Sequence, residues 1–306
     1  MFRHLLKKFI LFVFSLFLVI TGTFFLMHAI PGDPFQEEQG VPQEIIESLH
    51  RYYSLEKPLF IQYLTYVKNL AQGDFGPSLK YQGRSGGDII GEGFPISMAL
   101  GLEAIFIAIS VGMLCGTVAA LRRGKYQDQV MMILAVLGIS IPSFILATFL
   151  QYFLAIKLDI FPVARWGSFS HTVLPAIALA ALPTAFIARL TRSNMVEVLQ
   201  QDYILTAKAK GLSSLQIVFK HVLRNTLLPV VSYLGPLTAS VLTGSFVVER
   251  IFGIPGLGQW FVISVTNRDY TLIMALTIFY SAFLMLCVYM VDVLYSLIDP
   301  RIRWKK

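Results

Sequence analysis

Apolar residues along the chain gather into six long runs, over residues 9–30, 96–121, 130–156, 172–188, 228–248 and 271–298. A helix needs about 20 mainly apolar residues to cross roughly 30 Å of hydrocarbon, where every backbone N–H and C=O must find its partner within the segment. The pattern therefore predicts an all-α polytopic membrane protein, a single domain over 1–306 with six transmembrane helices. Carboxylates enter the runs only at Glu103 and Asp292. The fourth run is the shortest and carries Pro175 and Pro183, so its ends are the least sharply drawn. Arg3, Lys7 and Lys8 precede the first run, as they would in a secretory signal. Its 22 residues exceed the signal core of about 7–15, and Met27-His28-Ala29 is a poor cleavage site, so it reads as a span.

Alternation from an inner N-terminus places 1–8, 122–129, 189–227 and 299–306 on one side, and 31–95, 157–171 and 249–270 on the other. The first set holds sixteen Lys and Arg against four acids, Asp128, Glu197, Asp202 and Asp299. The second holds nine basic residues against twelve acids. This is the positive-inside asymmetry, and the short Arg122-Arg123-Gly124-Lys125 turn weighs most, because the rule holds best for loops under about 60 residues. Both termini are expected in the cytoplasm.

Composition agrees with a bilayer protein: 56% hydrophobic and 14% charged, where soluble domains average about 45–50% and 25%. The formal charge of +7 is concentrated beside spans, which makes it a topology signal, and no nucleic-acid partner is expected. Cys115 and Cys287 fall inside apolar runs, where a small thiol packs as a hydrophobe. His4, His28, His50, His171 and His221 show no ligand spacing, so no metal site is expected.

Catalytic motifs are scarce. No Gly-x-x-x-x-Gly-Lys-Ser/Thr loop is present, and Gly124-Lys125 runs into Tyr126 without an earlier glycine, so the chain lacks that device for holding ATP phosphates. Gly83-Arg84-Ser85-Gly86-Gly87 matches Gly-x-Ser-x-Gly, but a nucleophile elbow needs a strand before it, and the residues here read as a glycine turn. Glu103 and Asp292 lie within a few residues of an interface, and a structural role is preferred for both. Gly112 and Gly116 form a small-xxx-small pair suited to close helix contact. Pro142, Pro175, Pro183 and Pro236 are expected to bend their spans.

Two loops are long enough for specific work. In the outer loop, 31–95, Leu59, Tyr63, Tyr66, Val67 and Leu70 recur at helical spacing between Pro58 and Gly73, predicting a short amphipathic helix. In the inner stretch, 189–227, good helix formers run from Asp202 to Gly211, and a second amphipathic helix follows from Ser213. Gly211 stands eighteen residues before Pro229, and Leu205-Thr206-Ala207 precedes it. Further marks follow in order: Pro31-Gly32-Asp33-Pro34, Gly73-Asp74-Phe75-Gly76, Phe252-Gly253-Ile254-Pro255-Gly256-Leu257-Gly258, Asn267-Arg268-Asp269-Tyr270 and Asp299-Pro300-Arg301-Ile302-Arg303.

Together these resemble the dipeptide and oligopeptide permease family of ATP-binding-cassette (ABC) importers, of the first permease subunit type, over roughly residues 1–303. Leu205-Thr206-Ala207 departs from the Glu-Ala-Ala of the wider family in the way usual for peptide permeases. The resemblance implies a type I ABC importer transmembrane domain in the bacterial cytoplasmic membrane. It implies three kinds of partner besides the lipid bilayer: a second homologous permease, two ABC ATPase subunits and an extracytoplasmic peptide-binding protein, with di- or oligopeptides as the cargo. No cofactor is expected on this chain, ATP being used by the partner ATPases, and the chain is expected not to be an enzyme. By resemblance, 189–227 is the coupling loop, with Tyr203, Thr206, Ala207, Lys208, Ala209, Gly211, Leu212 and Ser213 meeting an ATPase. Phe252, Gly253, Pro255, Gly256, Arg268 and Asp269 would meet the binding protein. Nickel or glutathione permeases share these motifs. A secondary transporter would need ion-coupling groups near mid-depth in repeated halves, and an intramembrane protease would need its serine or carboxylates within spans.

Overall fold

Ile141 stands before Pro142, and the clash between a proline ring and the preceding residue drives Ile141 out of the helical region, to φ −91° and ψ 118°. That one residue divides the third apolar run. In the computed structural model, which describes residues 2–29, 44, 47, 50–52, 54, 56–243 and 246–298, the chain leaves α4 (Tyr126–Ser140) and enters α5 (Ser143–Leu150) with a π-helical turn at Gln151–Lys157, bent by 104°. Pro31-Gly32-Asp33-Pro34 and Asp299-Pro300-Arg301-Ile302-Arg303 lie outside the described residues.

The other elements follow in chain order as α1 (Phe2–His28), α2 (Leu59–Ala71), α3 (Gly86–Leu121), α6 (Phe169–Leu199), α7 (Asp202–Ala209), α8 (Ser214–Ile217), α9 (Leu223–Thr243), α10 (Phe246–Phe252), α11 (Leu257–Thr266) and α12 (Tyr270–Ile298). Among the described residues no strand forms. Helices α1, α3, α6 and α12 are each long and apolar enough to cross a membrane. Helix α9 has 21 residues, and at 1.5 Å per residue it also reaches about 30 Å. With α9 and the bent α4–α5 pair, up to six elements among the described residues have the length to cross.

Several boundaries differ from those expected. The helix expected from residue 96 begins at Gly86 and runs on through Pro95, because Ser85 caps it: Ser85 Oγ accepts from the Asp88 N–H (3.1 Å) and Asp88 Oδ2 from the Ser85 N–H (2.9 Å). The Gly-x-Ser-x-Gly stretch is thus a helix start. The fourth run, 172–188, is the middle of the 31-residue α6, which stays continuous through Pro175 and Pro183. Pro236 likewise sits inside α9. Of the four prolines expected to bend spans, only Pro142 stands at a break. The fifth run, 228–248, is split: α9 ends at Thr243, and 246–248 belong to a second bent pair, α10 and α11, set at 93°.

This second pair is a re-entrant hairpin rather than a crossing. Its legs of 7 and 10 residues rise only about 10 and 15 Å, each short of the hydrocarbon thickness. Leu223, at the start of α9, joins the cluster around α7, whereas α10 and α11 meet the region of Ser97. The hairpin therefore leaves and returns at the end of the bundle opposite α7.

Helices α3 and α6 form the most extensive contact in the fold. Glycine makes it possible. A Cβ on Gly112 would lie 2.8 Å from the Thr184 carbonyl oxygen, and one on Gly116 2.5 Å from that of Ala188. Around this seam Leu100, Ala104, Ala108, Leu174, Ala178 and Ile187 are buried. Helix α1 is peripheral, with 6% of its apolar window buried, and its Phe14, Phe17 and Leu18 are exposed as for lipid. One end of it holds α2, through Phe24 buried among the rings of Tyr63 and Tyr66 and a 2.7 Å hydrogen bond between the Thr21 and Tyr63 hydroxyls. At the other end Lys8 Nζ reaches Asp292 Oδ2 at 2.9 Å, a structural use of that carboxylate. Glu103 is half-buried on α3 and takes part in no ion pair among the described residues.

Candidate functional site

The two ends of the bundle carry different apparatus. At one end α7 forms a stiff elbow. Ile204 and Ala207, three residues apart and so on one face, are buried against Met195 of α6, Ala120 of α3, and Val218 and Val222 beyond the turn. The helix stops at Gly211, whose φ of +79° lies in the left-handed region that favours glycine. Gly211 N–H donates to the Lys208 carbonyl (3.0 Å) and Leu212 N–H to that of Ala207 (3.3 Å), the paired bonds of a Schellman cap, with Leu212 completing the apolar contact. A capping box restarts the chain: Ser213 Oγ accepts from the Gln216 N–H (3.3 Å) and Gln216 Oε1 from the Ser213 N–H (3.0 Å). Asn225 Nδ2 donates to Tyr203 Oη at 2.7 Å and ties the elbow to α9.

Beside it, Arg192 of α6 grips buried Asp128 with two bonds, Nε to Oδ1 at 2.5 Å and Nη2 to Oδ2 at 2.8 Å, and Gly124 N–H adds a third at 2.9 Å. The Arg122-to-Lys125 turn is thereby fastened to the base of α6.

Of the residues expected to meet an ATPase, Tyr203, Thr206, Lys208, Ala209, Gly211 and Ser213 are exposed. Ala207 is not: it is buried and packs the elbow against the bundle. Leu212 is partly buried with it. Sequence reasoning passed over three exposed apolar side chains, Leu205 at 56%, and Leu215 and Phe219 at 70% each. Their signal was present, since Leu205 falls out of phase with the inward Ile204 and Ala207.

At the opposite end the re-entrant hairpin is built around a buried carboxylate. Glu249, on α10, is fully buried; its Oε1 accepts from Ser97 Oγ of α3 at 2.7 Å and its Oε2 from the Gln259 N–H at 3.2 Å. Ser97 Oγ in turn accepts from the Leu257 N–H at 2.9 Å. Leu257 and Gln259 lie in the first turn of α11, whose unbonded N–H groups and positive dipole end are therefore satisfied jointly by Ser97 and Glu249. Gly256 and Gly258 are required by crowding: a Cβ would lie 2.5 Å from Glu249 Oε2 and 2.4 Å from Phe246 Cα, respectively. Outside this knot, Arg165 N–H donates to the Phe252 carbonyl at 2.7 Å, and Gln151 Nε2 to that of Ile251 at 3.1 Å.

The loop before α3 clasps the same hairpin. Asp269, fully buried, accepts from Ser78 Oγ, from the Leu79 N–H (3.2 Å) and from the Leu272 N–H (3.1 Å), so it caps α12 while holding the loop. The Arg84 guanidinium lies 5.2 Å from the Trp260 ring centre, and Tyr81 meets the same ring at 5.3 Å. Among the residues expected to meet a binding protein, Gly253, Pro255 and Arg268 are exposed. Phe252, Gly256 and Asp269 are buried and shape that surface from beneath. Glu249 went unnoticed in the sequence because nothing local marks it: its partners are 152 and 10 positions away.

An all-α membrane bundle with a braced elbow at one end and a re-entrant hairpin at the other is the architecture of a transport permease. The chain belongs to the family of binding-protein-dependent transport system inner membrane components, which matches residues 109–304, with that family's N-terminal region matching 1–94. It is 52% identical over 304 residues to the dipeptide transport system permease protein DppB of Bacillus subtilis, covering 99% of both chains. It is 42% identical over 306 residues to the oligopeptide transport system permease protein OppB of Escherichia coli, covering 99% of this chain and 100% of that one. A solved inward-facing structure of the MetNI methionine ABC transporter aligns with a TM-score of 0.57 at 18% identity, over 69% of this chain and 96% of that one. The fold is that of a type I ABC importer transmembrane domain.

Proposed function

We propose that this chain is one permease subunit of an ATP-driven importer of dipeptides and short oligopeptides, working in a bacterial cytoplasmic membrane with both termini inside. It pairs with a second homologous permease, two ATPase subunits and an extracytoplasmic peptide-binding protein. ATP is used on the partner ATPases, and this chain binds no cofactor.

The observation that carries this reading is the elbow. Leu205, Leu215 and Phe219 expose apolar surface on the elbow and the segment after it, where a Schellman cap ends α7, a capping box starts the next turn, and buried side chains wedge both against α3, α6 and the start of α9. A rigid projection packed in this way can turn closure of an ATPase dimer into rocking of the spans, as a tethered flap could not. At the far end, the exposed Gly253, Pro255 and Arg268 offer the surface for the binding protein. Peptide cargo is supported by the names of the full-length relatives, and it is favoured over nickel or glutathione on that ground.

The test is reconstitution of the chain with the permease, ATPases and binding protein encoded beside it, followed by ATP-dependent uptake of labelled dipeptide into proteoliposomes. Leu215→Asp is expected to abolish uptake and release the ATPases on gel filtration. Concentrative uptake by the isolated chain, or wild-type uptake by the Leu215→Asp complex, would overturn the reading.

A further inference from the structure

Between the hairpin and α12 lies a cavity of about 250 Å³, lined by Phe246, Phe261, Thr277, Tyr280, Ser281 and Leu284. The ring centres of Phe246 and Phe261 are 6.3 Å apart, and those of Phe261 and Tyr280 are 6.1 Å apart, so three rings share its wall. Thr277, Tyr280, Ser281 and Leu284 recur at helical spacing on one face of α12. Other faces of that helix are taken: Met274 and Ile278 by α1 and α2, Leu272 and Leu276 by α3 and α11. The remaining stripe bears three hydroxyls, groups that gain nothing from hydrocarbon and that in spans face the bundle interior or a water-lined path.

The hairpin beside the cavity points the same way. Bent backbone at a membrane boundary is tolerated where it is enclosed by protein or lines a pathway, and broken helices recur at substrate sites of transporters. In many such sites a free helix N-terminus receives a carboxylate. Here that position on α11 is already filled by Ser97 and Glu249. The Tyr280 hydroxyl at the cavity is buried and without a hydrogen-bond partner among the described residues. Three rings around a cavity of this size make a wall that welcomes an apolar side chain.

We infer that this cavity is a subsite on the transport path that receives an apolar, preferably aromatic, side chain of the moving peptide. The inference rests on the peptide-importer reading and adds to it the place and the preference. Rings at these separations can flank a guest ring edge-on or offset. The hydroxyls of Thr277 and Ser281 can replace water around the guest's backbone as it passes.

The experiment compares ATP-driven uptake of Ala-Phe, Ala-Ala and Ala-Asp by the reconstituted complex, with the same binding protein in every arm so that its own selectivity cancels. Ser281→Leu fills the cavity and is expected to lower uptake of Ala-Phe about tenfold relative to Ala-Ala, the scale of one misfitted apolar group. Phe261→Leu, a milder change that keeps the hairpin apolar, is expected to shift the same ratio several-fold and serves if the first variant fails to assemble. A ratio unchanged in both assembled variants overturns the inference. So does an equal loss for all three peptides, which would make the cavity packing space for a lipid tail or the second permease. Wild-type complex that takes up none of the three sinks the peptide-importer reading itself, which is a separate result.

Discussion

Ser97 donates its hydroxyl proton to the Glu249 carboxylate at 2.7 Å, joining the third helix to the re-entrant hairpin across 152 positions of sequence. With the Gln259 and Leu257 N–H groups, the pair replaces the water that would otherwise solvate the start of a helix held against the bundle. Glu249→Ala strands the Ser97 hydroxyl and the Gln259 N–H, at a cost of about 1–3 kcal/mol for each buried group left unbonded. Thermal unfolding in detergent is expected to show a lower Tm for Glu249→Ala and a smaller loss for Glu249→Gln, which retains one acceptor oxygen. Equal midpoints for wild type and the alanine variant would remove the hairpin knot from the account.

Gly116 offers a sharper steric prediction. With the Ala188 carbonyl oxygen 2.5 Å from where its Cβ would stand, Gly116→Leu must push α3 and α6 apart. Overpacking of this kind costs about 1–3 kcal/mol or more. The folded, monodisperse fraction on gel filtration is expected to fall steeply. Gly22→Ala is the control, since nothing lies within 4 Å of the added carbon, and its yield should match wild type.

Asp128 and Arg192 should behave as a unit. Arg192→Ala leaves a buried carboxylate with the Gly124 N–H but no counter-charge. Because the arginine side chain is itself 31% exposed, solvent moderates the loss to about 1–3 kcal/mol, below that of a fully enclosed pair. Asp128→Ala combined with Arg192→Ala is expected to unfold at a higher temperature than Arg192→Ala alone. Strict additivity of the two single variants would show that the pair is ornamental.

The Schellman cap at Gly211 predicts uncoupling rather than unfolding. A β-branched residue at φ +79° is strained, at a cost of about 1–3 kcal/mol confined to one turn. Gly211→Val should therefore leave the spans assembled while loosening α7. A spin label at Lys208 is expected to gain mobility, and ATP hydrolysis by the partner subunits to continue with reduced transport per ATP. An immobile label with full transport would count against a rigid elbow.

Particular residues show how far linear reading reached. The elbow was legible because its marks are short-range: Asp202 to Gly211 is one helix and its stop, and Ser213 with Gln216 is one cap. Whether Ala207 faced a partner or its own bundle was not legible, since that turned on Met195 and Ala120, neither of them near it in sequence. Asp269 was expected to meet a binding protein, but it is buried, enclosed by Ser78 and Leu79. Pro142 stands at a bend and Pro175 lies within a continuous helix, although each is a proline within an apolar run.

Hydropathy sums over about twenty neighbouring residues, so the apolar runs alone commit this chain to the bilayer, and the short-range capping signals mark the elbow. Helix caps and the glycines of the α3–α6 seam are equally local in chemistry, and they too could be read in advance. Burial of Glu249 and Asp269, the turn of α10 into α11 and the cavity beside α12 come from contacts between separate helices, some of them more than 150 positions apart in sequence. Those contacts exist only once the helices have packed, which is why the folded bundle had to supply them.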